Sequence, residues 1–207
     1  MKAQFNKLIT ETVKPLLKAN GFGKKGLNFY KRKDELIFLF NFQNSYGNTF
    51  DQTKFYFNCG IHSNAIDKVI GRPELSEPKE YNCHFRDRIS FICESTIDGY
   101  FISKETVWEP FTSAIITDLE TVISMFDKIN STNDLTNLMI EKNGLNNYCE
   151  LFEYLLLTEN KIDLKRLVKL LHQAFEKDSR WPIFEKNLSK VLIQHKRTEA
   201  IKDILKE

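Results

Sequence analysis

The chain has 207 residues, of which 42% are hydrophobic and 28% are charged, with only eight Gly and five Pro. This composition is typical of a folded globular protein, and it excludes a disordered tail, a collagen-like repeat and a disulfide-dense miniprotein. A chain of this length buries about 70% of its surface on folding, so a sizeable core forms without cross-links.

Several features bear on where the protein works. No window approaches about eighteen consecutive apolar residues, and the N-terminus lacks the apolar stretch and cleavage site of a secretory signal. The four cysteines, Cys59, Cys83, Cys93 and Cys149, are irregularly spaced, which favours reduced thiols over a disulfide framework. The Lys- and Asn-rich composition is typical of an AT-rich bacterial genome. We therefore expect a bacterial cytoplasmic protein with no membrane segment.

Charge is uneven along the chain. Residues 1–33 carry nine basic and one acidic residue (+8), residues 34–160 carry nine and twenty (−11), and residues 161–207 carry twelve and seven (+5), which sums to +2. The basic start could steer an anionic partner, but it has few interleaved aromatic residues, so nucleic-acid binding is not favoured. The acidic middle section could mask a basic protein partner.

The first third of the chain predicts a helix followed by an antiparallel meander. Apolar residues from Phe5 to Leu17 recur at spacings of three and four, which indicates a helix that Pro15 should kink. Aromatic-rich segments at 27–33, 35–43 and 54–62 then predict three strands packed on this helix.

The rest of the chain predicts two more strands and then helices. Gly and Pro at 64–82 indicate a loop, residues 83–92 and 100–103 predict strands, and a helix starts near Trp108. The later helical candidates are 132–142, 145–158, 161–177 and 182–206. We therefore expect an α+β domain with an antiparallel sheet over residues 1–130 and an all-helical C-terminal region over residues 131–207.

The order of these elements resembles a known family. The matching segments are Pro15-Leu16-Leu17-Lys18, Asn20-Gly21-Phe22, Lys24-Lys25-Gly26, Phe29-Tyr30, Asn41-Phe42-Gln43-Asn44-Ser45 and Phe57-Asn58-Cys59-Gly60-Ile61. The segment from Cys83 to Arg88 and Trp108 also resemble family landmarks. Over roughly residues 1–130, the chain resembles the bacterial domain of unknown function 4304 family, with the helical tail outside the resemblance. The resemblance implies an α+β cytoplasmic domain and brings no established activity, substrate or cofactor.

A polar face of the predicted sheet supplies the candidate binding residues. Strand alternation places Gln43 on the polar side of the second strand and Asn58 and His62 on that of the third. Arg86 and Arg88 would add two guanidinium groups, and such a face could hold a carboxylate, a phosphate or an acidic partner loop. The alternative is an ordinary solvated sheet face whose arginines pair with nearby acids such as Asp51 or Glu94.

The sequence supports a metal site or a catalytic site less well than it supports the polar face of the sheet. Cys59-x-x-His62 followed by Cys83-His84 suggests zinc, but alternation points Cys59 and His62 to opposite faces. The sequence contains no recognisable nucleophile elbow, phosphate loop or metalloprotease helix, so we name no catalytic residue, metal ligand or cofactor.

These observations favour a non-enzymatic protein-binding module, inhibitory or immunity-like in type, and leave enzyme activity open. Its partner could be another protein or a second copy through the leucine-rich tail helices. The alternative is a small-molecule or nucleotide-binding protein that uses the polar sheet face. A ligand site requires a concave pocket, whereas a partner surface is broad.

Overall fold

The computed structural model describes residues 2–94, 98–142 and 147–206. The chain forms two compact units. The sheet unit contains Met1–His62 and Ser76–Asn130, and the helical unit contains Ser63–Leu75 and Ser131–Glu207. Among the described residues, no helix is both long enough and apolar enough to cross a membrane.

The sheet unit begins with a continuous helical run that a π-helical segment interrupts. Helix α1 covers Lys2–Lys7, a π-helical segment covers Leu8–Val13, and α2 covers Lys14–Ala19. Pro15 occupies the first turn of α2, directly after the π-helical segment. Because proline has no N–H to donate to the preceding turn, the regular hydrogen-bond ladder changes at this point.

Within the described ranges, six strands form one antiparallel sheet. The strands are β1 Gly23–Lys25, β2 Asn28–Lys33, β3 Leu36–Asn44, β4 Gln52–Ser63, β5 Phe85–Arg88 and β6 Tyr100–Ser103. Their order is β1-β2-β3-β4-β5, and β6 also pairs with β4. Strand β4 is long enough to pair with two strands in succession: Gln52 to Phe55 face β6, and Asn58 to Ile61 face β5.

One side of the sheet forms the aromatic core. Phe38 and Phe40 on β3 contact Phe126, with ring centroids 5.1 and 5.2 Å apart. Phe126 belongs to α5, Trp108–Asp127, whose buried residues follow one stripe. Phe55 on β4 meets Phe5 on α1 at 5.0 Å. Alternation along β3 and β4 therefore sends the phenylalanines to the helix side and the polar residues to the other.

A segment at the other side of the sheet covers part of it. We call Ser76 to His84 the covering segment; it includes a 3-10 turn at Glu80–Asn82 that packs on β3. Glu77 pairs with Lys25, and Arg32 donates to the Ser76 carbonyl. Cys83 lies over Gly60, where the β-carbon of any larger residue would meet Cys83 Sγ at 2.7 Å. The covering segment thus needs a glycine at position 60.

The helical unit is an array of short amphipathic helices. Its elements are α3 Asn64–Val69, α6 Thr132–Glu141, α7 Tyr148–Leu157, α8 Lys161–Phe175, α9 Trp181–Gln194 and α10 Ile201–Lys206, while α4 Ile89–Ile92 belongs to the sheet unit. Leu151, Leu155 and Leu171 are among its fully buried residues. The Ser63 hydroxyl caps α3 and lies 2.8 Å from that of Thr132. Arg72 pairs with Glu150 on α7 at 2.8 Å.

The structure corrects several predicted elements. The loop expected over 64–82 contains α3, because Ser63 caps a helix there that the Gly and Pro content does not reveal. The strand expected over 83–92 covers only β5, and Ile89–Ile92 forms a helical turn. The helix expected over 182–206 is broken between α9 and α10, where Lys196 has a φ of 55°. The start of the helix predicted at 145–158 lies outside the described residues.

Candidate binding face of the sheet

A row of side-chain amides crosses three strands on the polar side of the sheet. Asn58 Nδ2 donates to Asn41 Oδ1 at 3.1 Å and to Gln43 Oε1 at 3.0 Å. Asn41 Nδ2 in turn donates to Asn28 Oδ1 at 2.7 Å. We call these four residues the amide row. Asn58 is only 6% exposed, so a buried amide holds both the half-buried Asn41 and the exposed Gln43 through one hydrogen bond each.

A row of cations and aromatic rings continues this face toward β6. The Arg88 guanidinium carbon lies 4.2 Å from the Tyr56 ring centroid. Lys54 Nζ lies 5.0 Å from the Tyr56 centroid and 5.1 Å from that of Phe101. Asp98 bonds Arg88 and lies 4.0 Å from Lys54. These distances are those of cation–π contacts, and we call Lys54, Tyr56, Arg88 and Phe101 the cation–aromatic row.

The strand register explains why the two rows meet. Asn58 lies directly opposite Arg88 across the β4–β5 pair, and Lys54 lies opposite Phe101 across the β4–β6 pair. Residues directly opposite one another in an antiparallel pair share a face, and alternation adds Tyr56 between them on β4. The result is a half-exposed surface, here called the binding face, that consists of the amide row and the cation–aromatic row.

His62 is separated from this open surface by the covering segment. It is fully buried, and its Nδ1 donates to the Asn82 carbonyl at 3.0 Å, since a carbonyl oxygen only accepts. Its ring stacks on that of His84 with centroids 4.9 Å apart. A partner that approaches the binding face therefore does not reach the His62 imidazole.

Arg86 lies at the boundary between the covering segment and the open face. It sits opposite Gly60 in the β4–β5 register, and its Nη1 is 3.6 Å from Glu80 Oε1. Its Nε is buried and has no hydrogen-bond partner among the residues that the structure describes. A buried donor of this kind is costly, so an acceptor at this point would be favoured.

The four thiols are poor nucleophiles in this fold. Burial raises the pKa of Cys59 and Cys83 well above that of an ordinary thiol. Burial, followed by the charge of Asp118, raises the pKa of Cys93 to about 11. Burial also raises the pKa of Cys149. With pKa values raised in this way, the four cysteines are protonated at neutral pH. They are poor nucleophiles because the thiolate is the reactive form. In addition, alternation on β4 places Cys59 on the face opposite His62.

Of the sequence-predicted site residues, Gln43, Asn58 and Arg88 come together on the binding face. Arg86 lies at its border, and His62 lies beneath the covering segment. The acids that pair the two arginines are Glu80 and Asp98 rather than Asp51 or Glu94.

Sequence reasoning missed most of the cation–aromatic row. Alternation on β4 gives the signal for Lys54 and Tyr56, which share the face of Asn58. Phe101 and Asp98 could not be found in this way, because their place depends on the pairing of β6 with the first half of β4.

Comparison with known proteins identifies the family. No curated protein and no solved structure matches the chain. The model of one family, Domain of unknown function (DUF4304), matches residues 13–186. The match continues well past residue 130, so it also includes helices that the sequence resemblance left outside the family. The chain belongs to the family described as Domain of unknown function (DUF4304).

Proposed function

We propose that the chain is a non-enzymatic protein-binding module of the bacterial cytoplasm that holds an acidic segment of a partner on the binding face. The observation that carries this proposal is the stack of Arg88 on Tyr56, 4.2 Å from guanidinium carbon to ring centroid, directly beside the amide row. By occupying such a segment, the module would act as an inhibitor of its partner.

The residue types on this face are those that dominate protein contacts. Tyr and Arg are enriched among the residues that contribute most to binding energy, while amides add directional hydrogen bonds. Arg88 and Lys54 are both half-exposed, and Asp98 neutralises only one of the two positive charges. The net positive charge that remains favours a carboxylate-bearing partner, which a planar guanidinium binds through two hydrogen bonds.

The face is also held in position before a partner arrives. Asn58 fixes Asn41 and Gln43 through two hydrogen bonds, and Tyr56 supports the flat side of Arg88. Side chains that are already ordered lose less conformational entropy when they bind. This arrangement supports a binding role in which few groups rearrange.

Two further observations support the non-enzymatic and cytoplasmic parts of the proposal. All four thiols have raised pKa values, so none of them is a thiolate nucleophile at neutral pH. All four cysteines are also free of disulfides, as is usual in a reducing compartment.

A peptide-binding experiment with a matched control tests the proposal. The helical unit contains a second arginine of similar geometry: Arg180 stacks 4.5 Å from the Phe175 centroid and bonds Asp178. A library of acidic and scrambled peptides is screened against the full chain, and binders are measured by fluorescence anisotropy. Arg88→Ala should weaken binding about tenfold or more, whereas Arg180→Ala should leave it unchanged. Equal effects of the two variants, or no acidic binder in the library, would reject the proposal.

A second candidate is binding of a small anion or nucleotide beside Arg86. The buried Arg86 Nε with no described partner favours it, because a ligand oxygen there would satisfy the donor. A thermal-shift screen with phosphate, nucleotides and carboxylates tests this idea. A ligand at a hundred times its dissociation constant stabilises the native state by about 2.7 kcal/mol. A shift that Arg86→Ala abolishes supports this candidate, and a shift that persists in Arg86→Ala rejects it.

A further inference from the structure

The helical unit contains a groove that the proposed function does not use. It has a volume of about 640 Å³ and lies between the α7–α8 turn and the segment that leads into α10. Its apolar floor consists of Leu155, Leu156, Leu164 and Ile204. The family match ends at residue 186, so one wall of the groove lies within the match and the other wall lies beyond it.

The two walls carry opposite net charge. On the α8 wall are Glu159, Lys161 and Lys165, which give +1, and on the α10 wall are Arg197, Glu199 and Asp203, which give −1. Across the described part of the chain, none of these six side chains forms an ion pair. Asp203 does accept a hydrogen bond from the Ala200 backbone N–H at the start of α10. The charges are therefore available for a partner.

The rim of the groove also carries an apolar side chain that projects into solvent. Ile162 lines the groove at the first turn of α8 and is 82% exposed. An isoleucine this exposed gains free energy by entering an apolar depression, and the floor of the same groove offers one of leucine and isoleucine side chains. The surface thus has both a projecting apolar group and a complementary hollow.

We propose that this groove is the interface through which two copies of the chain form a two-fold dimer. In a two-fold interface every contact occurs twice, so the positive α8 wall of one copy meets the negative α10 wall of the other, and the reverse. Ile162 of each copy then enters the groove of its partner. Opposite charges on two walls of one surface are self-complementary, whereas an acidic or a basic peptide would meet one wall of like charge.

The oligomeric state across a range of concentrations tests this proposal. Sedimentation velocity on the full chain from about 1 μM to about 500 μM should show a concentration-dependent dimer. Ile162→Asp should raise the dimer dissociation constant more than about tenfold, because each dimer contains the substitution twice. Ile183→Asp is the matched control: it is 57% exposed on α9 but does not line the groove, and it should leave the constant unchanged.

A charge exchange tests the geometry directly. Lys165→Glu makes both walls negative and Glu199→Lys makes both positive, so each variant alone should dimerise at least about tenfold more weakly. An equal mixture of the two variants should regain dimer formation, because opposite charges then meet at both contacts. Lys190→Glu, outside the groove, serves as the charge control.

Three results would each overturn the proposal. The wild-type chain could stay monomeric at every concentration, Ile162→Asp could leave the dimer intact, or the mixture of charge variants could dimerise no better than its components. A monomer that binds a foreign peptide in this groove would also overturn it and assign the groove to another partner.

Discussion

The Tyr100 hydroxyl donates a hydrogen bond to the Asp118 carboxylate, with Tyr100 Oη and Asp118 Oδ2 2.6 Å apart. Tyr100 begins β6 and Asp118 lies in the middle of α5, so this bond fixes the short strand to the long helix. The Cys93 thiol donates to the backbone carbonyl of the same Asp118 at 3.6 Å. One turn of α5 therefore holds two segments of the sheet unit in place.

We expect Tyr100→Phe to destabilise the sheet unit by about 1.5–3 kcal/mol, the range for a hydrogen bond to a charged group. The phenylalanine retains the ring contacts with Phe55 and Phe57, at 5.7 and 4.7 Å between centroids. The measured loss of stability therefore reports the contribution of the hydroxyl alone. Urea denaturation of both proteins measures it. Tyr46→Phe, at a fully exposed tyrosine, is the control and should change nothing measurable. An equal result for the two variants would show that the bond contributes no stability.

The same region predicts a loss of stability at alkaline pH. Burial, and then the charge of Asp118, raises the pKa of Cys93 from its ordinary value of 9.0 to about 11. Burial and the hydrogen bond to Asp118 also raise the pKa of Tyr100 above its usual range. Because the unfolded thiol loses its proton first, the stability that Cys93 contributes is complete below pH 9 and is lost as the pH rises from about 9 to about 11.

Cys93→Ala should therefore show a shallower fall in the urea midpoint between pH 8 and 11 than the wild-type chain. The fall should not vanish, because the pKa values of Cys59, Cys83 and Cys149 are raised as well. Parallel curves for the two proteins would show that Cys93 does not contribute to the alkaline loss of stability.

Two residues of the amide row should contribute unequally to the stability of the fold. Asn58→Ala should cost about 1–3 kcal/mol, since it removes a buried side chain and two hydrogen bonds. Gln43→Ala should stay within about 0.5 kcal/mol, because Gln43 is exposed and water can replace its bond to Asn58. Chemical denaturation of both variants measures the difference. A Gln43→Ala loss as large as that of Asn58→Ala would contradict this prediction.

Much of the sheet unit could be predicted from local sequence patterns. Alternating phenylalanines on β3 and β4 mark the face that packs on the helices, and the apolar stripe from Trp108 marks α5. Both patterns depend on the period of one element, which a sequence shows directly. Alternation also placed Gln43 and Asn58 on the polar sides of their strands, and the expected meander of neighbouring strands brought those sides together.

What could not be predicted depends on contacts between distant segments. The placement of Phe101 beside Lys54 requires the pairing of β6 with β4, which no local period encodes. The burial of His62 requires the covering segment, most of which lies in the stretch 64–82, where Gly71, Pro73 and Pro78 indicated only a loop. The sequence pattern of one strand or helix shows which of its faces is apolar. Which distant segment packs on that face depends on long-range contacts that the local pattern does not contain.

The close contact between Gly60 and Cys83 gives the last prediction. A β-carbon at position 60 would lie 2.7 Å from Cys83 Sγ, 2.8 Å from Cys83 Cβ and 3.2 Å from the Phe85 carbonyl oxygen. Gly60→Ala should therefore destabilise the chain by about 1–3 kcal/mol through overpacking. Gly23→Ala is the matched control, because the nearest atom to its β-carbon would be 3.9 Å away.

Cys83→Gly removes two of the three close contacts, so it should relieve part of the cost of Gly60→Ala. A double-mutant cycle measured by urea denaturation tests this. We expect the free energy that the double variant loses to be smaller than the sum of the two single losses by about 0.5–3 kcal/mol. The relief should be incomplete, since the Phe85 carbonyl oxygen remains at 3.2 Å. Additive losses would show that the covering segment shifts away from Gly60 without resistance, so that Cys83 does not fix its position on the sheet.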